Sequence, residues 1–517
     1  MRGKNTFVYL CASFSAFGGL LFGYDLGVIS GVLTMPYFRE KFPSGPAKEG
    51  SIVSSFLAGC FVGALFSGYS ADKLGRRMSI LVGSLTFIVG GILQATSESF
   101  AQLYIGRVIS GTSIGILSTV VPMYQSEISP KEIRGRLVSL QQWSITIGIA
   151  VAFWIDYATG EINSPQQWRI PLWVQCVPAA VLALGIVFLP RSPRWLLDYD
   201  RNDEALTVLS KLRANGDKND PAVISEYNEI KDNIRFEREN ASKGYAELLK
   251  RGPENIRRRI FLGIFIQIFQ QLTGINAIMY YAPQIFTNAG LTSNSSKLLA
   301  TGVNGIVNVL ATIPEILWID RWGRRPTMIS GGLLMALCMT TIGSVLAVHG
   351  TKYYDNELGK NFVRLDSNAS SYSIIAFIYL FVASFAYSWG PCGWIYPAEI
   401  YPLRIRGKAL SITTAANWLL NLVVGQVTPT LLDSITWGTY IIFGSFCLIM
   451  TVSIFLFYPE TKGKSLEEMD MIFGSISTRS SLEPSTAEKG QAPALIQVPG
   501  DDSNAQELGK TNTGTDG

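Results

Sequence analysis

Apolar residues in this chain occur in long blocks, separated by short stretches that contain most of the charged residues. Two examples are "SIVSSFLAGCFVGALFSGYSA" (51–71) and "GTYIIFGSFCLIMTVSIFLFY" (438–458). A helix of about 20 such residues is long enough to cross a hydrocarbon core about 30 Å thick. The pattern predicts twelve membrane-spanning helices, numbered span 1 to span 12, near residues 7–33, 51–71, 78–98, 101–124, 138–158, 169–190, 259–287, 297–319, 326–348, 372–397, 407–431 and 436–458.

The composition is typical of a membrane protein. Of the 517 residues, 48% are hydrophobic and 16% are charged, whereas a soluble protein has about 25% charged residues. We therefore predict an all-α polytopic membrane protein that has the lipid bilayer as a partner. Span 1 is too long and too polar at its centre for a cleaved signal peptide, so we expect it to be retained.

The distribution of basic residues predicts the orientation of the chain. If the N-terminus is cytoplasmic, the two termini and the loops on their side contain 34 of the 43 Lys and Arg residues. By the positive-inside rule, this asymmetry places both termini in the cytoplasm. The basic stretches flank membrane segments, so they do not indicate nucleic acid binding.

Three pairs of similar segments indicate an internal repeat. "DKLGRR" (72–77) recurs as "DRWGRR" (320–325), "SEISPKEIRGR" (126–136) recurs as "AEIYPLRIRGK" (398–408), and "LPRSPRWLL" (189–197) resembles "YPETKGKSLEE" (458–468). We infer two parallel halves of six spans each, an arrangement that forms a binding site at the interface between repeats. The predicted division is 1–190 and 259–458 for the two halves, 191–258 for a cytoplasmic linker with amphipathic helices, and 459–517 for a cytoplasmic tail that is largely disordered after about residue 475.

Cysteine and histidine usage argues against catalytic and metal sites. The six cysteines fall one per span, without pairing or metal-ligand spacing, and His349 is the single histidine. This pattern excludes His-based catalytic triads and multi-His metal sites. We predict no enzymatic activity, no bound metal and no cofactor.

Several motifs together resemble those of a known family. "PMYQSEISPKEIRGR" (122–136), "QQLTGINAIMYYAP" (270–283), "PETKGKSLEEMD" (459–470) and the two D-x-x-G-R-R turns are similar to motifs of the sugar porter family of the major facilitator superfamily. The likeness covers about residues 5–470 and is greatest to the monosaccharide transporters of fungi and plants. The resemblance implies uptake of a hexose such as glucose, or of xylose, together with a proton, by alternating access across the plasma membrane, in a protein that functions as a monomer.

A monosaccharide site requires neutral hydrogen-bonding side chains and an aromatic surface in a dry cavity. Spans 5, 7, 8, 10 and 11 supply such residues, and the resemblance implies the same roles: Gln142, Gln270, Gln271, Asn276, Asn308, Trp394, Asn417 and Trp418 as sugar ligands, with Tyr280 and Tyr281 as an outer gate. One straight helix face cannot present both Gln271 and Asn276, so we predict a break near Gly274. Pro391 and Pro397 should unwind or kink span 10 around Trp394. For Gln141, Asn304 and Asn421 we prefer a role as hydrogen-bonding links between helices.

One carboxylate lies inside an apolar stretch, in "GGLLFGYDLGVIS" (18–30). An ionised Asp25 at the centre of a bilayer costs roughly 2.5–3.5 kcal/mol, so it needs a partner. Arg107 is the basic residue deep in an apolar span, and the resemblance implies that the two form a pair that couples proton uptake to transport. The alternative is a static buried ion pair that fixes packing. Gly19, Gly23, Gly27 and Gly31 form a small-residue stripe on the opposite side of span 1, which predicts close contact with another helix.

The repeated loop motifs predict a cytoplasmic gating network that locks the two halves together in one state. Its members are Asp72, Arg76, Arg77, Glu127, Arg134 and Arg136 in the first half, and Asp320, Arg324, Arg325, Glu399, Arg404 and Arg406 in the second. The alternative is that these bases only set topology. Asn294 and Asn368 lie in N-x-S sequons on predicted outer loops and are candidate glycosylation sites.

Two other functions remain open from the sequence. A facilitative sugar uniporter can also carry an aspartate at the position of Asp25. A sugar sensor without transport is less favoured, because sensors of this family tend to have long cytoplasmic signalling tails and the tail after "MDMIFG" (469–474) is modest.

Overall fold

A computed structural model describes residues 6–130, 133–240, 248, 255–291, 293–355, 360–402, 405–464, 469 and 472–473. Within these residues, twelve helical segments are long and apolar enough to cross a membrane. The helices of the first half are Thr6–Ser15 and Phe17–Val32 in span 1, Pro46–Leu74 in span 2, Arg76–Ala95 in span 3, Phe100–Ile128 in span 4, Arg134–Gly160 in span 5, and Gln166–Val174 and Cys176–Ile186 in span 6.

The second half follows the same plan. Its helices are Ile256–Leu272, Ile275–Tyr280 and Ala282–Asn288 in span 7, Asn294–Trp322 in span 8, Arg324–His349 in span 9, Asn368–Tyr387 and Trp389–Ile400 in span 10, Arg406–Ser434 in span 11, and Trp437–Phe457 in span 12. Short helices cover Pro36–Lys41, Pro193–Asp198, Asn202–Ala214 and Pro221–Asn240, and strands Gly350–Asp355 and Lys360–Leu365 pair as an antiparallel hairpin. Because the spans alternate in direction, the linker helices mark one end of the bundle and the hairpin marks the other. We call these ends the linker side and the hairpin side.

The two D-x-x-G-R-R turns have the same backbone geometry. Gly75 ends span 2 with φ and ψ of 80° and 156°, and Gly323 ends span 8 with 92° and 157°. A positive φ strongly favours glycine, because a Cβ atom clashes there. The predicted repeat between the halves is therefore present in the fold as well as in the sequence.

The glycine stripe of span 1 packs directly on the backbone of span 5. A methyl group at Gly19 would lie 2.6 Å from the carbonyl oxygen of Gln141, and one at Gly23 would lie 1.9 Å from that of Ile145. Such distances leave no room for a side chain, so the two helices approach as closely as their backbones allow. The structure thus identifies span 5 as the partner that the stripe predicts.

Replacing Gly23 by Ala is expected to force spans 1 and 5 apart. Overpacking of this kind costs typically 1–3 kcal/mol, which should lower the melting temperature in detergent. Gly438→Ala is the matched control, since its nearest neighbour, Ile435, would be 3.5 Å from the new methyl group. Equal melting temperatures for the two variants would contradict the close packing.

In the second half, the helices of spans 7 and 10 are interrupted. Span 7 stops at Leu272 and restarts at Ile275, and Gly274 between them has a φ of 85°, which confirms the predicted break. In span 10 the expectation was wrong about position: the interruption is at Ser388, and the helix then runs through Pro391 and Pro397 to Ile400. Pro391 is tolerated because it lies in the first turn of the second segment, where backbone N–H groups lack helical acceptors.

The linker helices dock on the first half. The indole nitrogen of Trp195 and the hydroxyl of Tyr199 both donate to the carbonyl oxygen of Asp72, at 2.9 and 3.0 Å. Arg213 donates to the carbonyl oxygen of Ile128, the last residue of span 4, at 2.9 Å, and forms an ion pair with Glu226. These contacts tie the linker to the ends of spans 2 and 4.

The hairpin side is held together by polar contacts between loops. The backbone N–H of Asn361 in the hairpin donates to Asp433 at the end of span 11, at 2.8 Å. In the first half, Glu98 accepts hydrogen bonds from Lys41 and Arg169. These two cations hold the pKa of the exposed Glu98 carboxyl below its usual range.

Several predicted features lie outside the described residues. They are Arg404, the tail from residue 474 onward, and the side chains of Arg134, Asp320 and Asn294. The side chain of Asn368 is exposed at the hairpin side, where span 10 begins.

Candidate sugar site and proton pair

Amide side chains of spans 7 and 11 hydrogen-bond to one another beside the break in span 7. Asn417 is the centre of this group: its Nδ2 donates to Oε1 of Gln267 at 2.5 Å and to Oε1 of Gln270 at 2.8 Å. Its Oδ1 accepts from Nε2 of Gln271 at 3.0 Å, and Oε1 of Gln271 accepts from Nδ2 of Asn276 at 2.7 Å. All five side chains are buried. We call these five residues the amide cluster.

The amide cluster also binds the backbone of span 10. Nε2 of Gln270 donates to the carbonyl oxygens of Trp389 and Gly390, at 2.9 and 3.0 Å. Nε2 of Gln267 donates to the carbonyl oxygen of Gly393 at 2.7 Å. Spans 7, 10 and 11 therefore meet at one polar centre, immediately after the interruption of span 10 at Ser388.

The cluster has the chemistry that a sugar ring requires. Each amide offers both a donor and an acceptor, so it can exchange a hydrogen bond to a neighbouring amide for one to a sugar hydroxyl. In the described structure the amides satisfy one another, which keeps them oriented at little cost in unpaired polar groups. A hydroxyl-rich ligand that takes over these bonds leaves no buried group unsatisfied.

Sequence reasoning missed Gln267 as a member of the cluster. It lies three and four residues before Gln270 and Gln271, so all three side chains project from the same region of the helix. That spacing, in "IQIFQQL" (266–272), is a signal that identifies it.

Aromatic and polar side chains extend the site across the interface between the halves. Trp418 is fully buried; its indole N–H donates to Oγ of Ser118 in span 4 at 3.2 Å, and its ring centroid is 4.9 Å from that of Phe22 in span 1. Gln142 and Trp394 line a cavity on the linker side of this contact, together with Phe22 and Pro391. The predicted residues of spans 5 and 10 thus line a common space between the halves, and Trp418 of span 11 packs beside it on Phe22.

Tyr280 and Tyr281 close the hairpin side of the amide cluster. The hydroxyl of Tyr280 donates to Oδ1 of Asn421 at 3.1 Å, and that of Tyr281 donates to the carbonyl oxygen of Gly425 at 2.7 Å. Both rings are buried, so they fix the outer part of span 7 against span 11. Asn421 acts as the interhelical link that the sequence predicts.

Asn308 is the predicted ligand that stands apart. Its side chain is buried in span 8, but within the described residues no hydrogen bond joins it to the amide cluster. Its backbone carbonyl accepts from the hydroxyl of Thr312 at 2.8 Å.

Asp25 and Arg107 form an ion pair in the first half. Nη1 of Arg107 is 3.1 Å from Oδ2 of Asp25, and the two side chains are 1% and 0% exposed. Arg107 also donates to the carbonyl oxygen of Ile52 at 3.3 Å and to Oε1 of Gln94 at 3.4 Å, and its guanidinium lies over the ring of Phe56. Oδ1 of Asp25 has no hydrogen-bond partner in the described part of the chain. Arg107 would therefore keep other contacts if Asp25 left it, whereas Asp25 depends on Arg107.

On the linker side, Arg76 and Arg324 each form an ion pair with a glutamate of their own half. In the first half, Arg76 is 2.9 Å from Glu127 and 3.7 Å from Asp72. Arg77 instead donates to the carbonyl oxygen of Leu189 at 3.1 Å, and Arg136 is exposed. The Arg76 pairs connect spans 2, 3 and 4, as the placement of these residues at neighbouring helix ends predicts. Glu127 is available to Arg76 because it ends a helix that packs beside the turn within its own half.

The second half repeats this arrangement with one added acid. Arg324 is 2.7 Å from Glu399, and the two oxygens of Glu460 accept the backbone N–H groups of Arg324 and Arg325 at 2.9 and 3.0 Å. Glu460 thereby caps the start of span 9 with a favourable negative charge. The side chains of Arg325 and Arg406 also donate to the backbone carbonyl oxygens of Phe455 and Tyr401.

Comparison with known proteins places the chain in a family. A protein-family model described as "Sugar (and other) transporter" matches residues 11–473. The MFS glucose transporter mfs1 of Aspergillus flavus is 42% identical over 481 residues, which cover 90% of each chain. The chain belongs to this sugar transporter family. It is accordingly a transporter and not an enzyme.

Other members of the sugar transporter family are similar over most of their length. High-affinity glucose transporter 1 of Candida albicans is 37% identical, over 90% of this chain and 86% of its own. Among solved structures, the proton:xylose symporter XylE bound to 6-bromo-6-deoxy-D-glucose has a TM-score of 0.76 and 29% identity, covering 90% of this chain and 99% of its own. A partially occluded inward-open XylE from E. coli has a TM-score of 0.73. These likenesses establish the major facilitator fold for this sugar transporter.

Replacing Arg324 by Gln is expected to slow turnover without weakening sugar binding. The change leaves Glu399 without its short ion pair, and losing a bond to a charged group costs about 1.5–3 kcal/mol. Since a transport cycle passes through both end states, destabilising one of them should lower the maximal rate by roughly tenfold. Arg321→Gln is the matched control, because Arg321 is exposed one turn earlier. Equal maximal rates for the two variants would remove Arg324 from the gating network.

Proposed function

We propose that the protein is a monosaccharide–proton symporter of the plasma membrane, with glucose-like hexoses as its main substrates and xylose as a second candidate. The observation that carries this proposal is the amide cluster, which lies next to broken segments of spans 7 and 10. Discontinuous helices near the membrane midplane are characteristic of transporter binding sites. The relatives are glucose transporters by name and XylE is a proton:xylose symporter, which supports the same substrates here.

In this proposal Gln142, Gln270, Gln271, Asn276, Asn308 and Asn417 bind hydroxyl groups, and Trp394 and Trp418 contact the faces of the ring. Gln267 joins them because it shares Asn417 with Gln270. Tyr280 and Tyr281 form the gate on the hairpin side. The protein acts as a monomer, since each half contributes residues to one site at their interface.

Asp25 carries the coupled proton. When ionised, it is stabilised by Arg107; when it loses that contact, burial favours the neutral acid. Protonation from the hairpin side would release span 1 to close over the sugar, and opening to the linker side would release both. A membrane potential of 100 mV adds about 2.3 kcal/mol for each proton carried inward.

The proposed orientation places the linker side in the cytoplasm, because most Lys and Arg residues lie there. The hairpin is then extracellular, and the exposed Asn368 becomes a glycosylation site. Loss of a glycan on replacing Asn368 by Gln would support this orientation, and so would labelling of the hairpin in intact cells.

A facilitative uniporter is the second candidate. The complete burial of the Asp25–Arg107 pair favours the uniporter, because burial opposes separation of the two side chains. A pair that stays closed throughout the transport cycle contributes only to packing.

Radiolabelled sugar uptake in a host without its own carriers tests the proposal. We expect accumulation above the external concentration at acidic external pH, alkalinisation of the medium on sugar addition, and loss of accumulation with a protonophore. Competition by glucose and xylose, with no competition by disaccharides, would define the substrate class. Rapid equilibration without accumulation would instead establish the uniporter.

A further inference from the structure

A second carboxyl group is buried at the end of the seam between spans 1 and 5. Asp156 lies in the last turns of span 5, and its side chain packs against Gly31, the glycine of the stripe that is nearest to the hairpin side. A methyl group at Gly31 would be 2.4 Å from Oδ2 of Asp156. The residue is 1% exposed, so water does not reach the carboxyl while the seam is closed.

Neither oxygen of Asp156 has a hydrogen-bond partner of normal geometry within the described residues, and the backbone of Gly31 is the polar group that lies close to it. The ionisable groups nearby on the helices that pack against span 5 are occupied elsewhere. Tyr24 of span 1 donates to the carbonyl oxygen of Pro171. Asp25 is paired with Arg107, and Arg169 is paired with Glu98. Lys297 of span 8 and Glu161 at the end of span 5 each have interactions of their own. A negative charge on Asp156 is therefore neither solvated nor neutralised in this arrangement.

This geometry couples protonation of Asp156 to the contact between spans 1 and 5. An unpaired buried charge is among the least favourable features that a protein interior can contain, and the group avoids it by binding a proton. If the hairpin-side half of span 1 moves away from span 5, water enters the seam and the ionised carboxylate becomes acceptable. By linkage, the closed seam then binds a proton more tightly than the open one, so rising pH must favour opening.

We propose that Asp156 is a second proton-binding side chain of this transporter, protonated while the hairpin-side half of span 1 lies on span 5. When the helices separate, a carboxyl oxygen gives its proton to water in the seam, and closure takes a proton back. The proposal rests on the proposed sugar transport by alternating access but not on coupling through Asp25. Two carboxyl groups then lie along span 1. Asp25 belongs to the span itself and is paired with Arg107, whereas Asp156 belongs to span 5 and faces span 1 without a cation.

Sugar exchange at equal pH on both sides of a proteoliposome membrane tests this role. Exchange needs no net proton movement, and the Asp25→Asn background removes titration of the other carboxyl. In that background we expect exchange to fall toward alkaline pH by up to about tenfold per pH unit, because closure of the seam requires one proton. Asp156→Asn, which mimics the neutral acid, should abolish this fall.

Asp366→Asn is the matched control, because Asp366 is an exposed aspartate on the hairpin side, and it should keep the alkaline fall. An alkaline fall that persists in Asp156→Asn, or its absence before Asp156 is changed, would overturn the proposal. If the Asn variant does not fold, Asp156→Ala removes the carboxyl with a smaller side chain and is subject to the same criterion. Failure of the unmodified protein to exchange any monosaccharide would overturn the proposed function instead.

Discussion

Replacing Asp25 by Asn is expected to abolish uphill sugar accumulation while leaving sugar exchange close to that of the unmodified protein. Asn has nearly the shape of Asp and can still accept a hydrogen bond from Arg107, but it cannot bind and release a proton. A pH difference of one unit supports at most about tenfold accumulation per proton, and the variant should lose all of it. The amide cluster lies on spans 7 and 11, so its hydrogen bonds do not depend on Asp25.

The measurement compares two assays in the same vesicles. Accumulation is followed under an imposed pH gradient, and exchange is followed at equal pH with saturating sugar on both sides. The control is Asp366→Asn, which makes the same chemical change at an exposed position and should accumulate sugar normally. Full uphill uptake by Asp25→Asn would show that the buried pair has a packing role, and the uniporter would become the better description.

The fold was largely predictable because the membrane imposes it. Apolar blocks of sufficient length must form helices in a bilayer, since unpaired backbone groups are too costly there. The repeats then revealed the two halves, and Gly75 and Gly323 occupy equivalent turns with a positive φ. The hairpin at 350–365 was not predicted, because loops outside the membrane carry no comparable constraint and its strands alternate only weakly.

The sequence predicted most residues of the site but not which of them hydrogen-bond to one another. Sequence reasoning selected Gln270, Gln271, Asn276 and Asn417, and the structure brings these together. It did not select Gln267 or Asp156, because a single amide inside a span is usually assigned to contacts between helices, and an acid near a span end to the membrane interface. Which polar side chains meet depends on how spans 7, 10 and 11 cross, and a single sequence does not contain that information.

The linker side gives a similar lesson about charge. The sequence identified the acids and bases of the two turns and the neighbouring helix ends that they contact, and Arg76–Glu127 and Arg324–Glu399 pair there, each within one half. The third repeated landmark makes the two turns differ in one contact. Its second copy supplies Glu460, which caps span 9, but the equivalent residue of the first copy is Arg191, a base. The two halves therefore stabilise the same turn by different contacts.

Replacing Gln271 by Ala is expected to raise the half-saturation concentration for sugar transport by about 10- to 100-fold. Gln271 bridges Asn276 and Asn417, and its removal leaves a buried donor and a buried acceptor without partners, at a cost of roughly 1–3 kcal/mol. The bound sugar loses a ligand, and the remaining amides lose the orientation that prepares them to bind it. Because Asn417 still contacts Gln267 and Gln270, folding should be preserved.

The matched control for this substitution is Gln426→Ala, which removes a partly buried amide of span 11 that does not contact the cluster. Gln426 accepts from the hydroxyl of Ser54 at 2.6 Å and links spans 2 and 11 near the hairpin side. Its loss should change the half-saturation concentration by no more than about twofold, the range of a substitution away from the site. Initial uptake rates over a range of glucose concentrations separate the two effects. If Gln271→Ala shifts half-saturation no more than Gln426→Ala does, the cluster is a structural link between helices, and the sugar must bind to the residues around Gln142 and Trp394.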